Sequence, residues 1–135
     1  MKLFLAVSAV LAWAIGCALL FAPAPFLAPM GIRVTPAIAV TGQAQGAILV
    51  GLGAINWLAR SAAGPALRAV LAGNLVVQVL SWIVIVRALA LGIVPAQNAG
   101  AVVIHTALAA GFAYFLWSAN RSTMVAHAKE IPDSR

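Results

Sequence analysis

Arg68 and Arg87 bracket 18 consecutive residues without a charged side chain. That interval constrains the fold more than any other feature. As a helix rising ~1.5 Å per residue, it sets the two arginines roughly 28 Å apart. A bilayer's hydrocarbon core is about 30 Å thick. Each guanidinium can then reach its own interface along its aliphatic stem, so Arg87 reads as an anchor rather than a buried functional arginine. Three further stretches, 3–21, 36–60 and 95–120, are comparably long and apolar, and the interval itself belongs to a stretch at 65–91. Runs such as 47–52 and 83–86 do not alternate polar with apolar residues, so barrel strands are excluded. The expected fold is all-α and integral to the membrane: an antiparallel, up-and-down bundle of four transmembrane helices in one domain. Proline opens the last three segments at Pro36, Pro65 and Pro95, where a first helical turn loses nothing from the missing N–H.

Composition enters through the charges. Only 7% of the chain is charged against 64% hydrophobic, too few charges to clothe a water-facing surface. The acids are Glu130 and Asp133, so residues 1–129 carry no carboxylate side chain. Proton-coupled transport through an intramembrane Asp or Glu is excluded. The net charge of +6 is not gathered into a nucleic-acid-binding patch, because the basic residues stand singly at the ends of apolar runs. They read as topology signals: Lys2, Arg60, Arg68, Arg121, Lys129 and Arg135 on one side against Arg33 and Arg87 on the other. The expectation is a multi-pass protein of a bacterial inner membrane with both termini cytoplasmic and a short cytoplasmic tail, 121–135. The first segment has a rival reading as a signal peptide, with Ala22-Pro23-Ala24 near a cleavage point. Its length and the proline favour a retained helix.

The segment 22–35 holds Pro23, Pro25 and Pro29 among Phe26, Leu27, Met30 and Ile32. It is expected to lie in the interface at headgroup depth, with a lid over the outer mouth of the bundle as the sharper alternative. Trp57, Trp82, Tyr114 and Trp117 form the expected aromatic belt.

Polar side chains within apolar segments are the candidate functional groups. Asn74, Gln78 and Ser81 follow i, i+4, i+7 on one helical face. Asn56 lies roughly 6 Å inside Arg60 and Asn74 roughly 9 Å inside Arg68, so the two could meet across antiparallel helices. With His105, these residues make the candidate intramembrane cluster, while Gln43, Gln45 and Asn98 make a candidate outer polar group. The bland alternative is hydrogen-bond glue between helices. His105 is the one titratable group near the midplane and is read as a neutral, hydrogen-bonded core residue. Gly42 and Gly46 form a GxxxG, expected to let two helix backbones approach closely. Cys17 is the single cysteine, which excludes an intrachain disulfide or CxxC redox pair. No metal-ligand spacing, phosphate loop or nucleophile motif is present, so no catalytic residue is assigned and the sequence requires no cofactor.

The pattern resembles the small four-helix bacterial inner-membrane proteins of the broad DoxX-like kind. The residues that carry the likeness are Met30-Gly31-Ile32, Gly46-Ala47, Gly53-Ala54-Ile55-Asn56-Trp57-Leu58-Ala59-Arg60, Gly73-Asn74 and Gly111-Phe112-Ala113-Tyr114-Phe115. The resemblance implies a four-helix membrane fold and, for some members, quinone or thiol redox chemistry. The lone cysteine sets the thiol role aside. Three functional expectations result: a non-enzymatic bundle that self-associates or joins a larger membrane complex, a quinone-linked redox accessory subunit using Gln78 and His105, and a channel or carrier for a small neutral solute along Asn56, Asn74 and Gln78. The expected partners are the lipid bilayer, further copies or other membrane proteins, and no nucleic acid.

Overall fold

The computed structural model describes the backbone of residues 1–130 and the side chains of residues 1–121. Arg135, the end of the expected tail, and the side chains of His127, Lys129 and Glu130 lie outside the described residues. Among these residues every regular element is helical.

Local chemistry sets the helix ends. Helix α1 spans Lys2–Phe21, and α2 is a short turn, Pro23–Leu27, followed by a 3-10 turn at Ala28–Met30. Helix α3 spans Pro36–Ala59, and the Thr35 hydroxyl accepts the Ile38 N–H at 3.3 Å. That bond satisfies one donor the first turn leaves unpaired. Helix α4 spans Gly64–Ala90. It closes on Gly92 at φ 66, where the Ile93 N–H reaches the Ala88 carbonyl and the Gly92 N–H reaches that of Leu89. This is the paired-bond stop that favours a left-handed glycine. After a 3-10 turn at Ala96–Asn98, α5 runs Ala99–Glu130. It continues ten residues past the end expected at 120, because 121–130 holds neither glycine nor proline and Pro132 comes only afterwards.

The helices pack as two pairs. Helix α1 lies along α3, and α4 along α5. The first seam is made of small residues. A Cβ added at Gly46 would stand 2.6 Å from the Gly16 carbonyl oxygen, and one added at Gly16 would stand 2.9 Å from that of Gly46. Trp13 crosses this seam, its indole N–H donating to the Val50 carbonyl at 3.1 Å over the space that Gly53 leaves open.

The two pairs meet at one end. Leu5 of α1, Ala59 of α3, Leu67 and Leu71 of α4 and Phe112 of α5 form a single buried cluster. The Phe4 ring meets Phe112 edge-on, with centroids 4.8 Å apart, and fills the place of the missing side chain at Gly111. Outside, the bundle carries an apolar skin, with Leu3, Leu58, Val84 and Val103 each more than two-thirds exposed. Water-facing surfaces rarely carry so continuous an apolar covering. By length and composition α1, α3, α4 and the segment Ala96–Arg121 are each able to cross a membrane.

Candidate functional site

Above the buried cluster the two pairs diverge around a cavity of about 490 Å³. All four long helices border it, and its wall is largely aliphatic, with polar side chains at three levels.

The lowest level is self-contained. Asn56 Nδ2 donates to Asn74 Oδ1 at 3.0 Å, and Asn74 Nδ2 donates back to Asn56 Oδ1 at 2.8 Å and to the Val70 carbonyl at 2.9 Å. Ser8, also on the cavity wall, donates to the Phe4 carbonyl at 2.9 Å. Asn56 and Asn74 are 2% and 3% exposed, so each amide needs the other to offset its desolvation. With their capacity turned inward, these groups close the bottom of the cavity together with Phe112.

The middle level is different. His105 Nδ1 lies 2.6 Å from Gln78 Oε1. A carbonyl oxygen only accepts, so Nδ1 carries the proton and donates. Both side chains line the cavity, with Ser81 about one turn above Gln78 on the same face of α4. Among the described residues every buried side-chain nitrogen and oxygen has a hydrogen-bond partner. Neither the amide nitrogen of Gln78 nor Nε2 of His105 takes part in a hydrogen bond of the described residues, so both reach open space.

The upper level caps the cavity. Phe26 of α2 and Met30 of the following 3-10 turn complete its wall. Gln97 Nε2 donates to the Pro29 carbonyl at 2.7 Å, and Asn98 Nδ2 donates to the carbonyls of Met30 and Pro95, both at 3.0 Å. Gly31, at φ 76, lets the chain pass against Pro95 where a side chain would collide. The segment expected at headgroup depth is therefore tied to the start of α5 and contributes two side chains to the cavity.

The geometry sorts the candidate residues. Asn56, Gln78, Ser81, His105, Gln45 and Asn98 line the cavity, while Asn74 is buried behind Asn56 as its partner. Gln43 stands apart from Gln45 and Asn98. Its amide donates to the Leu20 carbonyl at 3.3 Å, across the α1–α3 seam. Gly42 and Gly46 serve contacts within the chain: Gly42 faces Leu19, Pro23 and Leu27, and Gly46 faces Gly16. Sequence reasoning passed over Ser8, Gln97 and Trp13. Gln97 had a signal in its adjacency to Asn98. Trp13 had none, because its partner is the backbone carbonyl of Val50.

The site has no carboxylate and no thiol among its lining residues, and the described residues hold no group of three or more His, Cys, Asp or Glu side chains suited to a metal ion. The arrangement offers neutral hydrogen bonding inside an aliphatic wall. Comparison with protein-family models, with curated proteins and with solved structures yields no match to this chain.

Proposed function

We propose that this chain is a multi-pass membrane protein whose cavity binds a small, neutral, largely apolar molecule. The four long helices cross the bilayer antiparallel, with both termini on the cytoplasmic side of a bacterial inner membrane. The basic residues support the orientation. Arg60 and Arg121 lie at the end that holds the buried cluster, stacked on Trp57 and Trp117 at 3.2 and 4.4 Å from the ring centres. Cations over belt tryptophans suit a cytoplasmic interface.

One observation carries the binding reading: a cavity bordered by all four helices, aliphatic in its wall, with a few polar groups converging on it. Ligand sites have this build and volume range. The lower level favours binding over flux, since the mutual bonds of Asn56 and Asn74 and the ring of Phe112 block a continuous path along the polar stripe. Simple self-association draws less support, because Gly46, its natural motif, is already packed against α1.

The test is to purify the tagged protein in mild detergent, measure its native mass and identify small molecules extracted from it. A monomer or small homo-oligomer carrying a stoichiometric neutral compound is the expected result. If no such compound is carried and the mass lies far above a few multiples of 13.8 kDa, with other chains present, the chain is a subunit of a larger complex and the binding reading fails.

A further inference from the structure

The middle level of the cavity sets the polarity of what binds there. Gln78 spends its amide oxygen on His105, which leaves its N–H donors toward the cavity. Gln78 is only 6% exposed, and the space its amide nitrogen meets is the cavity. His105 donates through Nδ1. With no carboxylate in residues 1–129 to balance an imidazolium, the ring is held neutral and its Nε2 is an acceptor. One donor and one acceptor thus belong to residues that line the same cavity, and the bond from Nδ1 turns Nε2 of His105 away from Gln78. A ketone or an ether would satisfy Gln78 and leave His105 facing a second acceptor. A hydroxyl supplies the donor that Nε2 of His105 accepts.

We infer that the cavity selects an apolar molecule bearing a hydroxyl, which donates to Nε2 of His105. The aliphatic wall takes the body of the molecule, and His105 reads its polar end. This rests on the binding reading above and adds the chemical class of the ligand. The match is neutral to neutral, and no proton or electron is transferred.

The test compares para-propylphenol with its methyl ether, which keeps the body and loses the O–H. Affinities are measured calorimetrically on the purified full chain in mild detergent, and the nitrogen NMR signal of His105 Nε2 is followed with each probe. In the native chain the phenol is expected to bind roughly tenfold more tightly than the ether, the worth of one good hydrogen bond, and to shift the Nε2 signal. In His105→Phe, which keeps a ring in place, the two affinities converge. Equal binding of phenol and ether by the native chain, or an Nε2 signal that the phenol leaves unmoved, overturns the inference while the cavity remains a binding site. Binding of neither probe overturns the inference and the binding reading together. Because the decisive ratio is measured on the native chain, a failure of His105→Phe to fold does not affect it.

Discussion

The seam between α1 and α3 and the space between the two helix pairs are built from similar helices and have opposite characters. In the seam, Gly16 and Gly46 bring two backbones into contact, and Trp13 closes over Gly53. Between the pairs, the helices meet at the buried cluster and the asparagine pair and then part around the cavity. Side-chain size at the contact positions accounts for the difference. Where the side chain is a hydrogen atom, dispersion between backbones holds the helices together, and in lipid this is the main cohesion available. Where the facing positions carry Gln, His, Ser and Asn, the helices stand a side chain apart and the space is left for something else. The seam is structure, and the cavity is where the chain has capacity to spare.

The largest expected effect comes from filling the seam. Gly46→Leu forces a branched side chain against the Gly16 carbonyl and the Leu20 amide, which are backbone atoms and cannot move aside alone. A loss of about 3 kcal/mol is expected, read as a lower denaturation midpoint in mixed micelles. Gly51 is the control, since nothing lies within 4 Å of its missing side chain. Gly51→Leu on the outer face should leave the midpoint nearly where it was. Equal losses at the two positions would mean that the seam is not where cohesion resides.

The boundary between the two regions is the asparagine pair. Asn74→Leu leaves the buried Asn56 amide without its partner, and a loss of about 1–2 kcal/mol is expected. The double change, Asn56→Leu with Asn74→Leu, should recover part of it, because two apolar side chains leave no unpaired group. A thermodynamic cycle over the four proteins measures the coupling. Additive single losses would show that the reciprocal bonds of 2.8 and 3.0 Å contribute nothing as a pair.

How far the sequence foretold these regions depends on the physics of each. The helices were legible because uninterrupted apolar runs of this length have few other solutions. The shared face of Asn74, Gln78 and Ser81 follows from helical period alone, as does the placing of Gln45 with Asn56 on one wall. The identity of their partners was less accessible. That Gln43 turns to the Leu20 carbonyl while Gln45, two residues on, meets the cavity depends on how α3 is rotated against α1. That rotation is set by Gly16, Gly46 and Gly53 acting together. Gly46 and Gly100 each open a similar pentapeptide, yet Gly46 is locked in a seam and Gly100 has nothing near it. The surroundings of a glycine are a property of the assembled bundle. The 22–35 segment was legible as apolar and proline-rich, but its attachment runs through the carbonyls of Pro29 and Met30, and every residue has a carbonyl.

That attachment yields the smallest change in stability and the most direct view of the cavity. The bonds from Gln97 and Asn98 hold the cap at its edge, and Gln97 is exposed. Water can replace such bonds, so each contributes about 0.5 kcal/mol. Gln97→Ala with Asn98→Ala should therefore lower the midpoint by no more than about 1 kcal/mol. Its consequence should lie in access. Ser81 lines the cavity beneath the cap, and Ser81→Cys, in a chain whose exposed Cys17 has been replaced by Ser, gives a thiol whose alkylation rate reports exposure. With the cap tethered, a water-soluble maleimide should react slowly at position 81. With Gln97 and Asn98 both truncated, the reaction should quicken severalfold while the midpoint hardly moves. A rate indifferent to the tethers would place the way into the cavity between the two helix pairs, where among the described residues no side-chain bond above Asn56 and Asn74 joins α3 to α4. The cap would then be a fixed part of the wall, and the looseness between the pairs would be the route by which a molecule reaches Gln78 and His105.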